Sequence, residues 1–124
     1  MADEIISGIH LPAWPPGRRF GFLEFGRRRG DFAMAGIALY YDLNGSKATN
    51  AHIGVFGVGE CQRRLPQAEA ILNGNAVDDA VAEKVGKAAA AEVEPQSDIH
   101  ASAAYRRALT GTLTERALKA AASR

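Results

Sequence analysis

The chain has 124 residues, the length of a single domain with one hydrophobic core. Its composition, 47% hydrophobic and 23% charged, is that of an ordinary folded protein. The formal net charge of +1 excludes a strong overall attraction to nucleic acid or to an anionic membrane, and no run reaches the roughly 18 apolar residues of a membrane span. We therefore expect neither nucleic acid nor a membrane as a partner.

The single cysteine, Cys61, allows no intramolecular disulfide bond, which favours a reducing, cytoplasmic location. Residues 1–20 do not have the pattern of a secretory signal, because Asp3 and Glu4 are acidic and Trp14-Pro15-Pro16 would break a helix. The sequence alone leaves open whether the chain is a short natural protein or an excised domain.

The first half of the sequence has the pattern of β-strands. We predict strands over residues 4–11, 19–25, 32–42 and 47–58 from their apolar periodicity. The third strand is apolar on both faces in its middle, which favours a central position in the sheet. Asn44-Gly45 is a hairpin turn signal between the last two strands.

The second half predicts three helices. The first covers residues 66–72, with proline in its first turn, and the second covers residues 77–93. The third runs from Ala103 to about Ala122, with Ser102 as its N-cap. We expect the alanine-rich second helix to pack closely on the sheet. The apolar face of the third helix consists of Tyr105, Leu109, Leu113, Ala117 and Ala121, while Arg106 and Arg107 fall mostly elsewhere.

These elements predict an α+β fold in one domain over residues 1–124. A mostly antiparallel sheet of three to four strands from the N-terminal half would pack against about three helices from the C-terminal half.

Five segments of the sequence, taken in their order along the chain, resemble the motifs of one protein family, and the resemblance extends over nearly the whole chain. They are residues 3–12, 22–33, 51–59, 64–69 and 97–107, the second of which contains Arg27-Arg28-Arg29-Gly30-Asp31. The sequence is similar to the C-terminal domain of the FAD-binding medium subunit of molybdenum hydroxylases, the group of carbon monoxide dehydrogenases and xanthine dehydrogenases.

The resemblance implies an accessory domain of an oxidoreductase flavoprotein. In the parent enzyme, electrons would pass from a molybdopterin centre through iron–sulfur clusters to FAD. The implied partners are an FAD-binding domain or chain, an iron–sulfur subunit and a molybdopterin subunit, with self-association as a further partner class. We interpret the N-terminal FAD-binding domain of the family as absent here. The sequence also lacks a glycine-rich dinucleotide loop leading into a helix, so we expect the chain alone to bind no FAD tightly and to catalyse nothing.

Two flavin contacts follow from the resemblance, at Ile6 and Leu23. Ile6 is the position of an aliphatic contact to the isoalloxazine ring, with plain core packing as the alternative. Leu23 stands where some relatives carry a lysine near the flavin, which is a departure from the family pattern.

The three arginines Arg27, Arg28 and Arg29 are candidate interface residues. Guanidinium groups suit flavin phosphates or an acidic surface on a partner subunit. The alternative is that some of them are solvated and another pairs with Asp31 or Glu24. Asp31 follows a glycine and precedes a strand, so we predict that it fixes a turn by accepting backbone hydrogen bonds.

The remaining reactive residue types give no catalytic pattern. The three histidines, His10, His52 and His100, lack metal-ligand spacing, so we expect no metal site. Cys61 has no neighbouring base and is interpreted as an ordinary thiol.

A second hypothesis is an autonomous interaction or dimerisation module without a redox role. Its binding surface would consist of Phe20, Phe22, Phe25 and the arginines.

Overall fold

The computed structural model describes residues 3–28 and 30–123, which form a four-stranded antiparallel sheet and three helices. The elements in chain order are β1 (Arg19–Phe25), β2 (Ala35–Asn44), β3 (Lys47–Phe56), β4 (Arg63–Arg64), α1 (Pro66–Leu72), α2 (Asp79–Glu92) and α3 (Ala103–Ala122). The strands lie in the order β1-β2-β3-β4, and each pairs antiparallel with the next. The predicted α+β class is confirmed, with its strands in the first half of the chain and its helices in the second.

The predicted hairpin connects β2 and β3. Asn44 pairs with Lys47, so Gly45 and Ser46 form a two-residue loop. Within the hairpin, Ile37 and Leu39 of β2 alternate with residues of the opposite face, as the two-residue period of a strand requires.

One face of the sheet is buried under the helices. Ile37 and Leu39 of β2 and Ile53 and Val55 of β3 are at most 4% exposed. Helix α3 packs across β1 and β2, and α1 packs across β3. The core of the domain therefore lies between this sheet face and the helices.

The helix boundaries follow from capping chemistry. Pro66 is the first residue of α1, where its missing N–H costs no hydrogen bond. The Asp78 carboxylate accepts a hydrogen bond from the Val81 amide at 2.8 Å, so α2 begins after Asp78 rather than at Val77. The Ser102 hydroxyl accepts one from the Tyr105 amide at 3.2 Å, which confirms the predicted start of α3. Within the described residues, no helix combines the length and apolar character that crossing a bilayer requires.

Helix α2 packs mainly on α3 and α1, and the prediction that it packs closely on the sheet is wrong. Small residues explain the difference, because they bring α2 against another helix. A Cβ atom added to Gly86 of α2 would lie 2.7 Å from the carbonyl oxygen of Gly111 in α3, so only glycine allows this approach.

The predicted strand over residues 4–11 is wrong. This segment pairs with none of the described strands, and Ile5, Ile6, Ile9 and Leu11 are 80–94% exposed. An apolar, strand-like pattern becomes a strand only where a neighbouring backbone satisfies its N–H and C=O groups. The third strand starts at Ala35, three residues later than predicted, because the fully exposed Phe32 belongs to the preceding loop. The fourth ends at Phe56 rather than residue 58.

Neither strand β4 nor the role of Glu69, which links α1 to this edge of the sheet, was predicted. Glu69 of α1 is 6% exposed and accepts hydrogen bonds from the Ile53 amide at 2.8 Å and from Arg64 at 2.9 and 2.6 Å. Burial raises the pKa of Glu69, but the hydrogen bonds from Arg64 and Ile53 outweigh it, and the pKa lies below its ordinary value. Glu69 therefore ties α1 to the β3–β4 edge of the sheet.

A bidentate ion pair fixes the chain just before β1. Arg18 donates to the two carboxylate oxygens of Asp42 at 2.7 and 2.8 Å, and the Asn50 side chain donates to Asp42 at 2.9 Å. The hydrogen bonds from Arg18 and then Asn50 lower the pKa of Asp42 to about 2.

Substitution of Gly86 by alanine tests the approach of α2 and α3. Although alanine favours a helix, we expect Gly86→Ala to lower the free energy of unfolding by about 1–3 kcal/mol, because the new methyl group meets the Gly111 carbonyl. Urea denaturation measures this change. Gly59→Ala is the control, since a Cβ there meets no atom within 4 Å. Equal stability of Gly86→Ala and wild type would contradict the close packing.

The Asp42 pKa predicts a pH dependence of stability. The carboxyl group titrates near 3.9 in an unfolded chain and at about 2 in the folded protein, so its stabilising contribution is complete above the unfolded value and is lost as the pH falls from about 4 to about 2. Asp42→Asn removes this titration. The urea midpoint of the variant should therefore fall less over that range than that of wild type, while Asp31→Asn serves as the exposed control. Parallel curves for wild type and Asp42→Asn would contradict the assignment.

Candidate functional site

The predicted arginine cluster lies in the loop between β1 and β2, residues 26–34, which we call the arginine loop. The loop is closed by the Met34 amide, which donates to the Phe25 carbonyl at 2.8 Å, and tightened by the Asp31 amide, which donates to the Arg28 carbonyl at 3.2 Å. Arg27 and Arg28 are exposed. Arg29 lies outside the described residues.

An open cavity of about 350 Å³ lies between the arginine loop and the linker that precedes α3. It is lined by Arg27, Asp31, Phe32, Ala33, Met34, Asp98, His100 and Arg106. Two arginines, two aspartates and a histidine thus converge at one end of the domain. They come from distant segments of the chain, since Arg27 and His100 are 73 residues apart in sequence.

Arg106 of α3 holds this end of the domain together. It is 8% exposed, and its guanidinium donates to the Met34 carbonyl at 2.8 Å, to the Gly57 carbonyl at 2.7 Å and to Asp98 at 2.6 Å. These acceptors belong to the arginine loop, to the end of β3 and to the linker before α3. One side chain therefore fixes three segments relative to one another. The prediction that Arg106 lies off the buried face is wrong, whereas the predicted apolar residue Tyr105 is 44% exposed.

Asp98 organises the linker. Its carboxylate accepts hydrogen bonds from the His100 amide at 2.8 Å, from the Ala101 amide at 2.9 Å and from Arg106. The hydrogen bond from Arg106, followed by those from the two amides, holds the pKa of Asp98 well below its ordinary value. A carboxylate held ionised by so many donors is unsuited to proton transfer near neutral pH.

Arg27 reaches across the cavity mouth to His100. The guanidinium Nη2 lies 2.9 Å from His100 Nδ1. Since arginine can only donate, Nδ1 must accept, so the imidazole in this arrangement carries its proton on Nε2. This pair links the arginine loop to the linker on the solvent side of Arg106.

The other predicted site residues lie in different environments. Leu23 is partly buried and packs against the core, while Ile6 is 83% exposed in the segment before β1. Asp31 is exposed in the turn after Arg28. The flavin contacts of Ile6 and Leu23, the interface role of the arginines and the capping role of Asp31 all stay predictions.

The sequence patterns missed the two residues on which the site depends, Asp98 and Arg106. The sequence contained a signal for Asp98, because it stands four residues before the Ser102 N-cap and a short polar side chain can organise a turn there.

In the described parts of the chain, no grouping of His, Cys, Asp and Glu could hold a metal ion. Cys61 is exposed. The arrangement is suited to binding and positioning through arginine and backbone groups.

Replacing Arg106 tests its central role. We expect Arg106→Met to lower the free energy of unfolding by about 2–4 kcal/mol, since the Met34 and Gly57 carbonyls lose a buried donor and Asp98 loses its ion pair. Arg107→Met, at the exposed neighbouring position, should change it by less than about 0.5 kcal/mol. Urea denaturation of both variants measures the difference. Equal effects would show that the buried guanidinium has no special structural role.

Comparison with known proteins matches this chain to medium subunits of multi-subunit oxidoreductases. The chain is 39% identical over 124 residues to the nicotine 6-hydroxylase medium subunit of Paenarthrobacter nicotinovorans, covering 99% of this chain and 43% of that protein. It is 30% identical over 121 residues to the carbon monoxide dehydrogenase medium chain of Afipia carboxidovorans, covering 98% and 42%. The chain thus spans about two fifths of the length of these relatives.

Solved structures show the same fold. Carbon monoxide dehydrogenase from Hydrogenophaga pseudoflava superposes with a TM-score of 0.86 at 31% identity, over 91% of this chain and 39% of that chain. Quinoline 2-oxidoreductase from Pseudomonas putida 86 superposes with a TM-score of 0.81 at 30% identity, over 87% and 38%. The family model of the CO dehydrogenase flavoprotein C-terminal domain matches residues 21–121. This range includes the Arg106 site and all of the sheet and helices except the first two residues of β1 and the last residue of α3. The chain belongs to the CO dehydrogenase flavoprotein C-terminal domain family, as the resemblance of its motifs predicts.

Proposed function

We propose that this chain acts as an accessory domain of the FAD subunit of a molybdenum-containing oxidoreductase. It covers part of the flavin and docks the FAD-binding part of the subunit, the iron–sulfur subunit and the molybdopterin subunit. The membership of the chain in a flavoprotein C-terminal domain family carries this proposal. The relatives are named as medium subunits or chains and, in one case, as a subunit of a dehydrogenase complex, which supports a role within a larger assembly.

The geometry of the arginine loop supports a contact role. Arg27 and Arg28 lie exposed on a loop that Arg106 anchors through the Met34 carbonyl. The anchor holds the backbone of the loop in place, and guanidinium forks suit phosphate or carboxylate oxygens. The loop therefore suits recognition of an anionic group on a cofactor or on a neighbouring subunit.

The described residues do not make a complete FAD pocket. The cavity beside the arginine loop is open and, at about 350 Å³, falls at the lower end of ligand-pocket volumes. Its charged groups are largely engaged with one another, as in the Arg106–Asp98 and Arg27–His100 contacts. FAD bound in the parent subunit would supply the redox chemistry, and this chain would supply positioning and shielding.

The exposed, unpaired Cys61 of the chain is consistent with the cytoplasmic location that we propose.

An FAD titration tests this division of labour. We expect the isolated chain to leave the absorbance spectrum of added FAD unchanged. We expect a chimera to retain FAD when residues 1–124 replace the matching C-terminal part of the nicotine 6-hydroxylase medium subunit. The unmodified relative is the control for FAD content. Stoichiometric binding by the isolated chain, or a chimera without FAD beside an FAD-loaded control, would contradict the proposal.

A further inference from the structure

The arginine loop is tied to the rest of the domain at two points that differ in burial and in chemistry. At its end, the Met34 carbonyl accepts a hydrogen bond from Arg106, which is 8% exposed and paired with Asp98. Near its start, Arg27 donates to His100 Nδ1 at 2.9 Å, and this contact is exposed to solvent. We call the contact of Arg27 with His100 the latch. The first tie is buried and ionic, whereas the latch depends on the protonation state of a histidine ring.

The latch requires a neutral imidazole. A guanidinium group carries donors only, and a neutral imidazole offers one acceptor nitrogen. Protonation of His100 removes that acceptor and places a second positive charge within hydrogen-bond distance of Arg27. Closure of the latch and protonation of His100 therefore exclude each other. Because histidine is the side chain that commonly gains or loses a proton between about pH 5 and 8, the latch is poised to respond within that range.

The other charged groups around His100 keep their charge over this range. Asp98 pairs with Arg106 and accepts the His100 amide, and these hydrogen bonds hold the pKa of Asp98 well below its ordinary value. Arg106 of α3 and, from the arginine loop, Arg27 and Asp31 line the same cavity. Asp31 is exposed, and exposed ion pairs hold an arginine only weakly. Uptake of one proton by His100 therefore changes the charge of this cluster by one unit and leaves its buried ion pair intact.

We propose that the latch is a pH-dependent switch, in which neutral His100 holds Arg27 against the linker and protonated His100 releases it. The buried tie through Arg106 persists in both states, so the switch frees the start of the arginine loop without opening this end of the domain. Release makes the donors of Arg27 available to phosphate or carboxylate oxygens. The latch belongs to the chain itself, and only the use of released Arg27 toward an anionic group rests on the proposed function.

Nuclear magnetic resonance of the 124-residue chain tests the switch. Relaxation of the arginine Nε–H groups reports how firmly each side chain is held. At about pH 7.5, where most ordinary histidines are neutral, the order parameter of Arg27 should lie nearer to those of Arg18 and Arg106, which bind carboxylates, than to that of the exposed Arg28. At about pH 5.5 it should fall at least about 1.5-fold, toward the value of Arg28, while those of Arg18 and Arg106 stay unchanged.

Two histidine variants separate the latch from other effects of acid. His100→Gln supplies an amide oxygen as acceptor and gains no proton, so the order parameter of Arg27 should lose its pH dependence. His10→Gln is the matched control, because it replaces an exposed histidine outside the cavity and should leave that dependence unchanged. A fall in the Arg27 order parameter of His100→Gln as large as in wild type would overturn the proposal.

The tautomer of His100 gives a second measurement. Long-range proton–nitrogen correlation at about pH 7.5 should show the His100 ring protonated on Nε2, with Nδ1 left as the acceptor for Arg27. A ring protonated on Nδ1 would contradict the latch. Loss of order at Arg106 together with Arg27 at about pH 5.5 would overturn the proposal as well, because the whole end of the domain would then open. The FAD content of the chimera depends on neither result, so failure of the switch leaves the proposed function intact.

Discussion

The geometry of this domain at one end depends on a buried guanidinium group. Arg106 satisfies two backbone carbonyls and one carboxylate that belong to three different segments, and none of these acceptors lies in the same secondary-structure element as the arginine. An apolar residue would leave the carbonyls without donors, and a lysine would lack the planar fork that serves several acceptors at once. The position of the arginine loop therefore follows from α3 rather than from the loop's own sequence.

The two faces of the sheet differ in chemistry although the same strands build both. Residues such as Ile37 and Ile53 point into the core and meet helices, while Tyr40 and His52 point away and meet one another. In an autonomous domain, an aromatic outer face is a liability. The chain spans about two fifths of the length of its relatives, so in those proteins the same fold is one part of a longer polypeptide.

Local chemistry made much of the fold predictable from sequence. The hairpin at Gly45, the start of α1 at Pro66 and the cap at Ser102 each depend on residues adjacent in the chain, and the structure confirms all three. The prediction of a strand over residues 4–11 is wrong because none of the described strands pairs with this segment, although its apolar pattern is real. The prediction that Arg106 lies off the buried face of α3 is wrong for a different reason. Helical periodicity ranks residues by hydrophobicity and cannot anticipate that distant carbonyls at Met34 and Gly57 need a donor.

The two edges of the sheet have unequal capacities for growth. On the β3 side, the sheet ends in β4, which consists of only Arg63 and Arg64, both exposed. A short edge of two cationic residues gives another chain almost no backbone to pair with, and natural proteins use such edges to prevent intermolecular strand exchange. On the other side, β1 presents a full seven-residue edge. Lateral addition of a foreign strand, and with it any tendency of this domain to aggregate through its sheet, is therefore directed to β1 alone among the described strands.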